Sequence, residues 1–185
     1  MLEDLVSDAK RRMEKSVEST RHEFQTVRTG RASAALLDRI QVDYYGTKTP
    51  LNQIASINVP EPRMLVVTPF DKNAMRDIER AILESDLGLN PSNDGKLIRL
   101  PIPALTEERR KELVKVVRHL AEEGRVAVRN VRRDAIHHAK DRERNGEFGV
   151  DDLHRLEERV QKLTDEHVGQ IDAALKAKEA EILEV

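Results

Sequence analysis

The side chains whose type and spacing could do chemistry are arginines. Arg118, Arg125, Arg129 and Arg132 follow one another at steps of seven, four and three, so a helix would carry all four on one flank. Between Gly124 and Arg133 there are four arginines and no acid. Position 125 has Ala121 and Arg129 at four residues' distance, and position 129 has Arg125 and Arg133. Like charges at that spacing repel, and an anion relieves the repulsion. Guanidinium forks match phosphate bidentately, which makes a nucleic-acid backbone the natural ligand. No aromatic residue lies on this flank, so recognition would be of backbone and shape, as in structured RNA, rather than by base stacking. The competing interpretation is a solvated face paired with acids of a neighbouring helix.

Other chemistries find little support. There is no cysteine, which excludes disulfides, thiolate metal sites and thiol nucleophiles and fits the cytoplasm. The six histidines include no pair at i, i+4 with a nearby acid, so neither a zinc helix nor any other metal site is expected. Gly88 to Lys96 has the composition of a phosphate loop, but its glycines are seven apart and Leu97 stands where Ser or Thr is required. No nucleophile elbow is present and no acid/base pair stands out. No enzyme activity and no cofactor are expected. No apolar run approaches the roughly 20 residues of a membrane span, and the N-terminus, acidic and without an apolar stretch, is not a secretory signal.

The arginines need a long helix beneath them. Residues 106–144 supply it: Leu113, Val117, Leu120, Gly124, Val128, Val131 and Ala135 recur at steps of three and four. Thr106 suits an N-cap, with Glu107 and Glu108 at the positive helix end. A first helix is expected over Met1–Thr29, ended by Gly30, and a third from Asp151, with a stripe of Leu153, Leu156, Val160, Leu163, His167, Ile171, Ala174, Ala177 and Ile182. The 185 residues carry a net charge of −2, but residues 106–144 hold twelve Lys/Arg against eight Asp/Glu and residues 145–185 five against eleven. A basic helix therefore stands beside an acidic one. Aromatics make up 3%, too few for a broad aromatic core and compatible with helices burying narrow aliphatic stripes.

Between the first two helices the character changes, and all seven prolines fall in residues 31–105. Strands are expected at 40–44, 54–59, 64–70 and 96–100, with a turn at 45–50, a break at Pro60-Glu61-Pro62, a helix over 71–85 with Met75, Ile78, Ala81, Ile82 and Leu83 on one face, and a loop at 90–95. The expected fold is α+β: a discontinuous three-helix bundle (1–29 and 106–185) with a β/α/β domain (30–105) inserted. Thr29, Gly30 and Arg31 form one tether, and residues 101–105, opened by Pro101, Ile102 and Pro103, which favour extended chain, form the other. Two short tethers suggest hinges in an elongated, two-armed molecule.

Longer motifs now add to this reading. Arg28-Thr29-Gly30-Arg31-Ala32-Ser33, Leu36-Leu37-Asp38, Tyr44-Tyr45-Gly46, Thr49-Pro50-Leu51, Ser85 to Pro91, Leu105 to Lys111 and Val126 to Ala135 resemble the ribosome recycling factor family, from near Met1 to the C-terminus. The chain departs from many members in having Ala34 where they have Pro. The resemblance implies an L-shaped two-domain protein. It also implies a translation factor that acts with elongation factor G, whose GTP hydrolysis supplies the energy, to split the 70S post-termination ribosome into subunits. The bundle would lie on large-subunit ribosomal RNA, and the smaller domain would move against the small subunit and the elongation factor. By motif match, Arg110, Arg129 and Arg132 become RNA contacts, with Arg28 beside the hinge and Arg133 as further candidates. Arg118 and Arg125 join them on helical geometry alone. A cytoplasmic monomer is expected. A coiled-coil scaffold docking an acidic protein and a general RNA chaperone remain as rival classes.

Overall fold

A computed structural model describes residues 2–184; Met1 and Val185, the outer limits of the expected bundle, lie outside the described residues. The fold is α+β and comprises two compact units, one of residues 1–27 with 108–185 and one of residues 28–107.

The first unit is helical. α1 runs Leu2–Thr26 and opens with Glu3 and Asp4, acids that complement the positive helix end. It stops short of the expected Thr29, and Gly30, with φ +80°, lies beyond it in the connection. Two further bundle helices, Glu107–Arg144 and Val150–Leu183, come after the small unit in sequence. The middle helix is about 57 Å long at 1.5 Å per residue.

Ion pairs show how the three helices run. Arg118 with Glu179 and Arg125 with Asp172 join the second and third helices in antiparallel sense. Arg12 with Asp134 joins the first to the second. The three helices pack closely at Gly124. A Cβ added there would collide with Thr20 Oγ1 and come within 3.2 Å of Ile171 Cδ1. The Thr20 hydroxyl turns back and donates to Ser16 O at 2.9 Å, so the crossing leaves no donor stranded. Glycine is thus the residue that lets the three backbones approach at this level.

The buried stripes differ from expectation in detail. On the second helix Ala121 is buried and Leu120 only partly so; on the third Thr164 replaces Leu163, and Ala177 is exposed. In both helices the smaller residue takes the inward position where helices lie close. Thr164 is accommodated because its hydroxyl donates to Val160 O at 2.8 Å.

The small unit begins with a 3₁₀ turn, Ala34–Leu37, whose Ser33 cap accepts from the Ala35 N–H at 3.3 Å. Ala34 thus opens the turn. β1 (Gln41–Tyr44) and β2 (Thr47–Pro50) form a hairpin. Tyr45 and Gly46 are its two-residue loop, with φ +49° and +78°, the pair of positive values that a type I′ turn requires. The expected turn over 45–50 is therefore only two residues long, and the rest of it is a strand.

α2 is a single turn, Leu51–Ile54. β3 (Ala55–Glu61) pairs with β4 (Met64–Pro69). β3 continues through Pro60, contrary to the expected break. It can do so because it is the edge strand of the sheet and its register shifts between Asn58 and Glu61. A 3₁₀ turn at Lys72–Ala74 leads into α3 (Met75–Glu84). Leu83, assigned to the inner face of that helix, is exposed.

β5 (Ser92–Asn93) lies within the expected loop, and β6 (Ile98–Pro101) ends the sheet, whose strand order is β3-β4-β6-β5, all antiparallel. Leu65 and Val67 of β4, Ile98 and Leu100 of β6, Ile78 and Ile82 of α3, and Val42 and Leu51 form the core. Full burial of each of the larger side chains is worth about 1.5–3 kcal/mol. With these labels, the two long helices after the small unit are α4 (Glu107–Arg144) and α5 (Val150–Leu183).

Candidate nucleic-acid interface

The arginines of α4 divide into two groups. Arg118 Nε lies 2.6 Å from Glu179 of α5, and this bond raises its pKa. Arg125 donates from Nε to Asp172 at 2.8 Å and from Nη1 to Glu122 at 2.9 Å. Its side chain is only 19% exposed. Burial pulls its pKa down, but the bonds to Asp172 and Glu122 outweigh that and raise it. Both side chains are thus committed within the bundle. The absence of acids at i±4 did not leave them unneutralised: Glu122 stands at i−3 to Arg125, and α5 supplies the rest.

The second group is less engaged. Arg129 has only a 3.4 Å contact with Glu122, an acid it shares with Arg125. Arg132 is partly buried, and its Nε is enclosed without a hydrogen-bond acceptor. Arg133 is exposed, and among the described residues neither Arg132 nor Arg133 has an ion pair. From residue 124 to 140 the one acid on α4 is Asp134, and Arg12 of α1 holds it at 2.9 Å. A cluster of Arg129, Arg132, Arg133 and Lys140 therefore keeps most of its charge uncompensated by α4 itself. Such an arrangement can accept anionic oxygens in more than one direction.

Arg132 also lines an open cleft of about 640 Å³ between α4 and α5. Lys140 and Lys162 share that cleft with Glu157, Glu158 and Asp165. Its charges balance, whereas the α4 flank from residue 124 to 140 carries an excess of positive charge.

Arg110 sits at the other end of α4, on the same seam as Leu113 and Val117, and its Nε too is enclosed without an acceptor. Burying a guanidinium N–H unpaired is costly. Arg28 belongs to the small unit, where its Nη1 donates to Leu87 O at 3.0 Å. The structure therefore groups Arg129, Arg132 and Arg133 on one part of α4, leaves Arg110 at the start of that helix, commits Arg118 and Arg125 to α5, and places Arg28 in the other unit.

The tether residues are anchored at one end of the small unit. The Ala32 N–H donates to Pro62 O at 2.7 Å and the Ile102 N–H to Arg63 O at 2.8 Å. Both connections are thus fixed to the β3–β4 turn. Gly30 packs against Leu105: an added Cβ would stand 3.3 Å from Leu105 Cγ.

A feature that the sequence pattern did not mark lies at the hairpin tip. The hydroxyls of Tyr44 and Tyr45 both donate to Asp71 Oδ2, at 3.2 and 3.0 Å. The Asn73 N–H and Tyr45 bonds hold the Asp71 carboxyl below the usual range. Tyr45 and Phe70 are exposed. Nothing in the spacing of Asp71 from Tyr44 and Tyr45, 27 and 26 residues earlier, announces this cluster. No helix among the described residues is long and apolar enough to cross a membrane.

A family model described as Ribosome recycling factor matches residues 20–183. The ribosome-recycling factor of Rubrobacter xylanophilus is 60% identical over 180 residues, covering 97% of each chain. This chain belongs to the ribosome recycling factor family. The ribosome-recycling factor of Bacillus subtilis is 58% identical over 185 residues, the whole of both chains. Among solved structures, a solution structure of the ribosome recycling factor matches with a TM-score of 0.77 and 44% identity over 100% of this chain and 98% of that one. A second match has a TM-score of 0.67 and 48% identity and covers 99% of each chain; it describes models of the T. thermophilus ribosome recycling factor and the E. coli elongation factor G bound to the E. coli post-termination complex. The motifs around Gly30, Pro91, Glu107 and Arg129 thus pointed to the right family. The chain is a translation factor of protein biosynthesis, acting in ribosome recycling.

Proposed function

We propose that this chain binds the large subunit of the post-termination ribosome through arginines of α4 and splits the ribosome into subunits together with elongation factor G. The observation that carries this reading is Arg132, a partly buried arginine with an enclosed, acceptorless Nε, on a stretch of α4, residues 124–140, whose one acid, Asp134, is already held by Arg12. Arg129, Arg132 and Arg133 contact ribosomal RNA phosphates, Arg110 contacts phosphate at the start of α4, and Arg28 contributes from the small unit. Arg118 and Arg125, held by α5, contribute field rather than direct bonds. The bundle acts as the anchor. The small unit turns at Thr29–Arg31 and Pro101–Pro103 when the partner GTPase pushes on it. Its exposed Tyr45 and Phe70 supply apolar surface suited to a protein neighbour. The protein works in the cytoplasm, as a monomer, and the chain itself performs no bond chemistry.

The test is a splitting assay followed by light scattering, with post-termination ribosomes, elongation factor G and GTP. The full set is expected to yield subunits, and omission of this chain or of GTP hydrolysis is expected to abolish splitting. Gly30→Pro, which cannot adopt φ +80°, is expected to spare large-subunit binding and impair splitting. Equal loss of both would show the tethers to be structural only. Splitting that proceeds unchanged without this chain would overturn the assignment.

A further inference from the structure

The ion pairs between α4 and α5 form a ladder with a seven-residue step on both helices. Arg118 meets Glu179, and seven residues along α4 and seven back along α5 Arg125 meets Asp172. The same step brings the next rung to Arg132 and Asp165. Both line the same cleft, yet they do not bond: Arg132 Nε has no acceptor, and Asp165 Oδ1 accepts instead from Gln161 Nε2 at 2.9 Å.

The three rungs differ at the α5 residue four positions before the acid. Glu179 has Leu175 there and Asp172 has Val168. Neither side chain can donate a hydrogen bond, and those carboxylates meet the arginines of α4. Asp165 has Gln161, whose amide lies within reach one turn away. On α4, Arg125 also has Glu122 at i−3, whereas Arg132 has Arg129 there and Val128 at i−4.

We propose that Gln161 is a positioning residue for RNA binding: by holding Asp165 Oδ1 it keeps Arg132 out of the ladder and leaves its guanidinium without an ion pair of its own, available to phosphate. This rests on the reading of Arg132 as a phosphate contact. The carboxylate keeps its charge, so the effect lies in which group the carboxylate bonds, not in net charge. An exposed guanidinium–carboxylate pair is modest in strength, and an amide one helical turn away is a sufficient competitor. Where α5 carries an apolar residue, the arginine is tied to the bundle; where it carries an amide, the arginine is released.

The test uses Gln161→Leu, which removes the donor without changing charge at an exposed position. In the free protein, Gln161→Leu is expected to shift the Arg132 Nε–H resonance and slow its exchange with water, as Asp165 turns to it. Binding to purified large ribosomal subunits is expected to weaken roughly two- to fivefold, the weight of an exposed ion pair. Asp165→Asn is expected to restore binding in the Gln161→Leu background by a larger factor than it changes binding on its own. An Arg132 Nε–H signal untouched by Gln161→Leu, or equal effects of Asp165→Asn in both backgrounds, would overturn the proposal. The resonance needs no ribosome, so failure of the phosphate reading shows separately, as an Arg132→Ala variant that binds large subunits like the parent.

Discussion

The two ends of one arginine row have opposite fates. Arg118 and Arg125 reach α5 and stop there, at 2.6 and 2.8 Å from its acids. Arg132 holds the equivalent place one heptad further and bonds to neither α5 nor α4. Residue type, helix face and period are shared, so none of them decides the role. Their surroundings differ: an apolar or an amide residue on α5, a glutamate or an arginine one turn back on α4. A paired surface arginine contributes little to stability, whereas an unpaired one in a partly buried setting is poised to gain from an arriving anion. The lesson is that a basic helix should be read together with the helix it packs on.

The most damaging way to break this comparison is to remove the platform both groups share. Gly124→Leu would drive a side chain into Thr20 and Ile171. It is expected to destabilise the bundle by about 3 kcal/mol, the upper range of overpacking, lowering the urea midpoint and abolishing ribosome binding through loss of fold. A midpoint like that of the parent would show that α1, α4 and α5 are not in close contact at this level.

Next in size comes the contrast itself. Arg132→Ala is expected to lose about 1.5–3 kcal/mol of large-subunit binding, the worth of a hydrogen bond to a charged group, with helix content unchanged. Arg125→Ala is expected to cost about 0.5–1 kcal/mol of stability and to change binding less than twofold. Reversed effects in urea titration and subunit binding would erase the distinction between the groups.

The smallest effect sharpens the comparison by titration. An arginine committed within the chain leaves its mark on its carboxylate. The Arg159 hydrogen bond holds Glu3 of α1 below its ordinary pKa. Because the folded value is depressed, the stabilisation is fully present above the unfolded value of about 4.3 and is lost as pH falls through the folded one. Arg159→Ala is expected to return the Glu3 carboxyl titration, followed by NMR, towards its ordinary range. An unchanged titration would mean that the pair does not persist in solution.

The sequence made the helices legible because a three-four apolar rhythm is a property of one chain segment. It could not separate Leu120 from Ala121, or Leu163 from Thr164, since both members of each pair fit the rhythm and the choice depends on how near the next helix comes. β2 was hidden because Thr47–Pro50 has turn composition, while the two-residue loop at Tyr45 and Gly46 makes a hairpin possible. Pro60 looked like a break because its place on an edge strand is a fact of sheet order. For the site, Arg129, Arg132 and Arg133 stood out as a run lacking acids. The commitment of Arg118 and Arg125 entered only as the competing interpretation, because i±4 counting on one helix omits the partner. A signal was present all the same: Asp165, Asp172 and Glu179 recur at seven residues, the step that separates Arg118, Arg125 and Arg132. Gln161 becomes meaningful only once those two series are set antiparallel.

The most direct test of the central claim is binding to purified large ribosomal subunits over a salt series, parent beside Arg132→Ala, with bulk RNA as competitor. Tight, salt-sensitive binding that bulk RNA does not displace is expected, with a log–log salt slope reduced by roughly 0.7–0.9 when Arg132 is removed, one phosphate contact's worth. An unchanged slope and affinity in Arg132→Ala would contradict that claim.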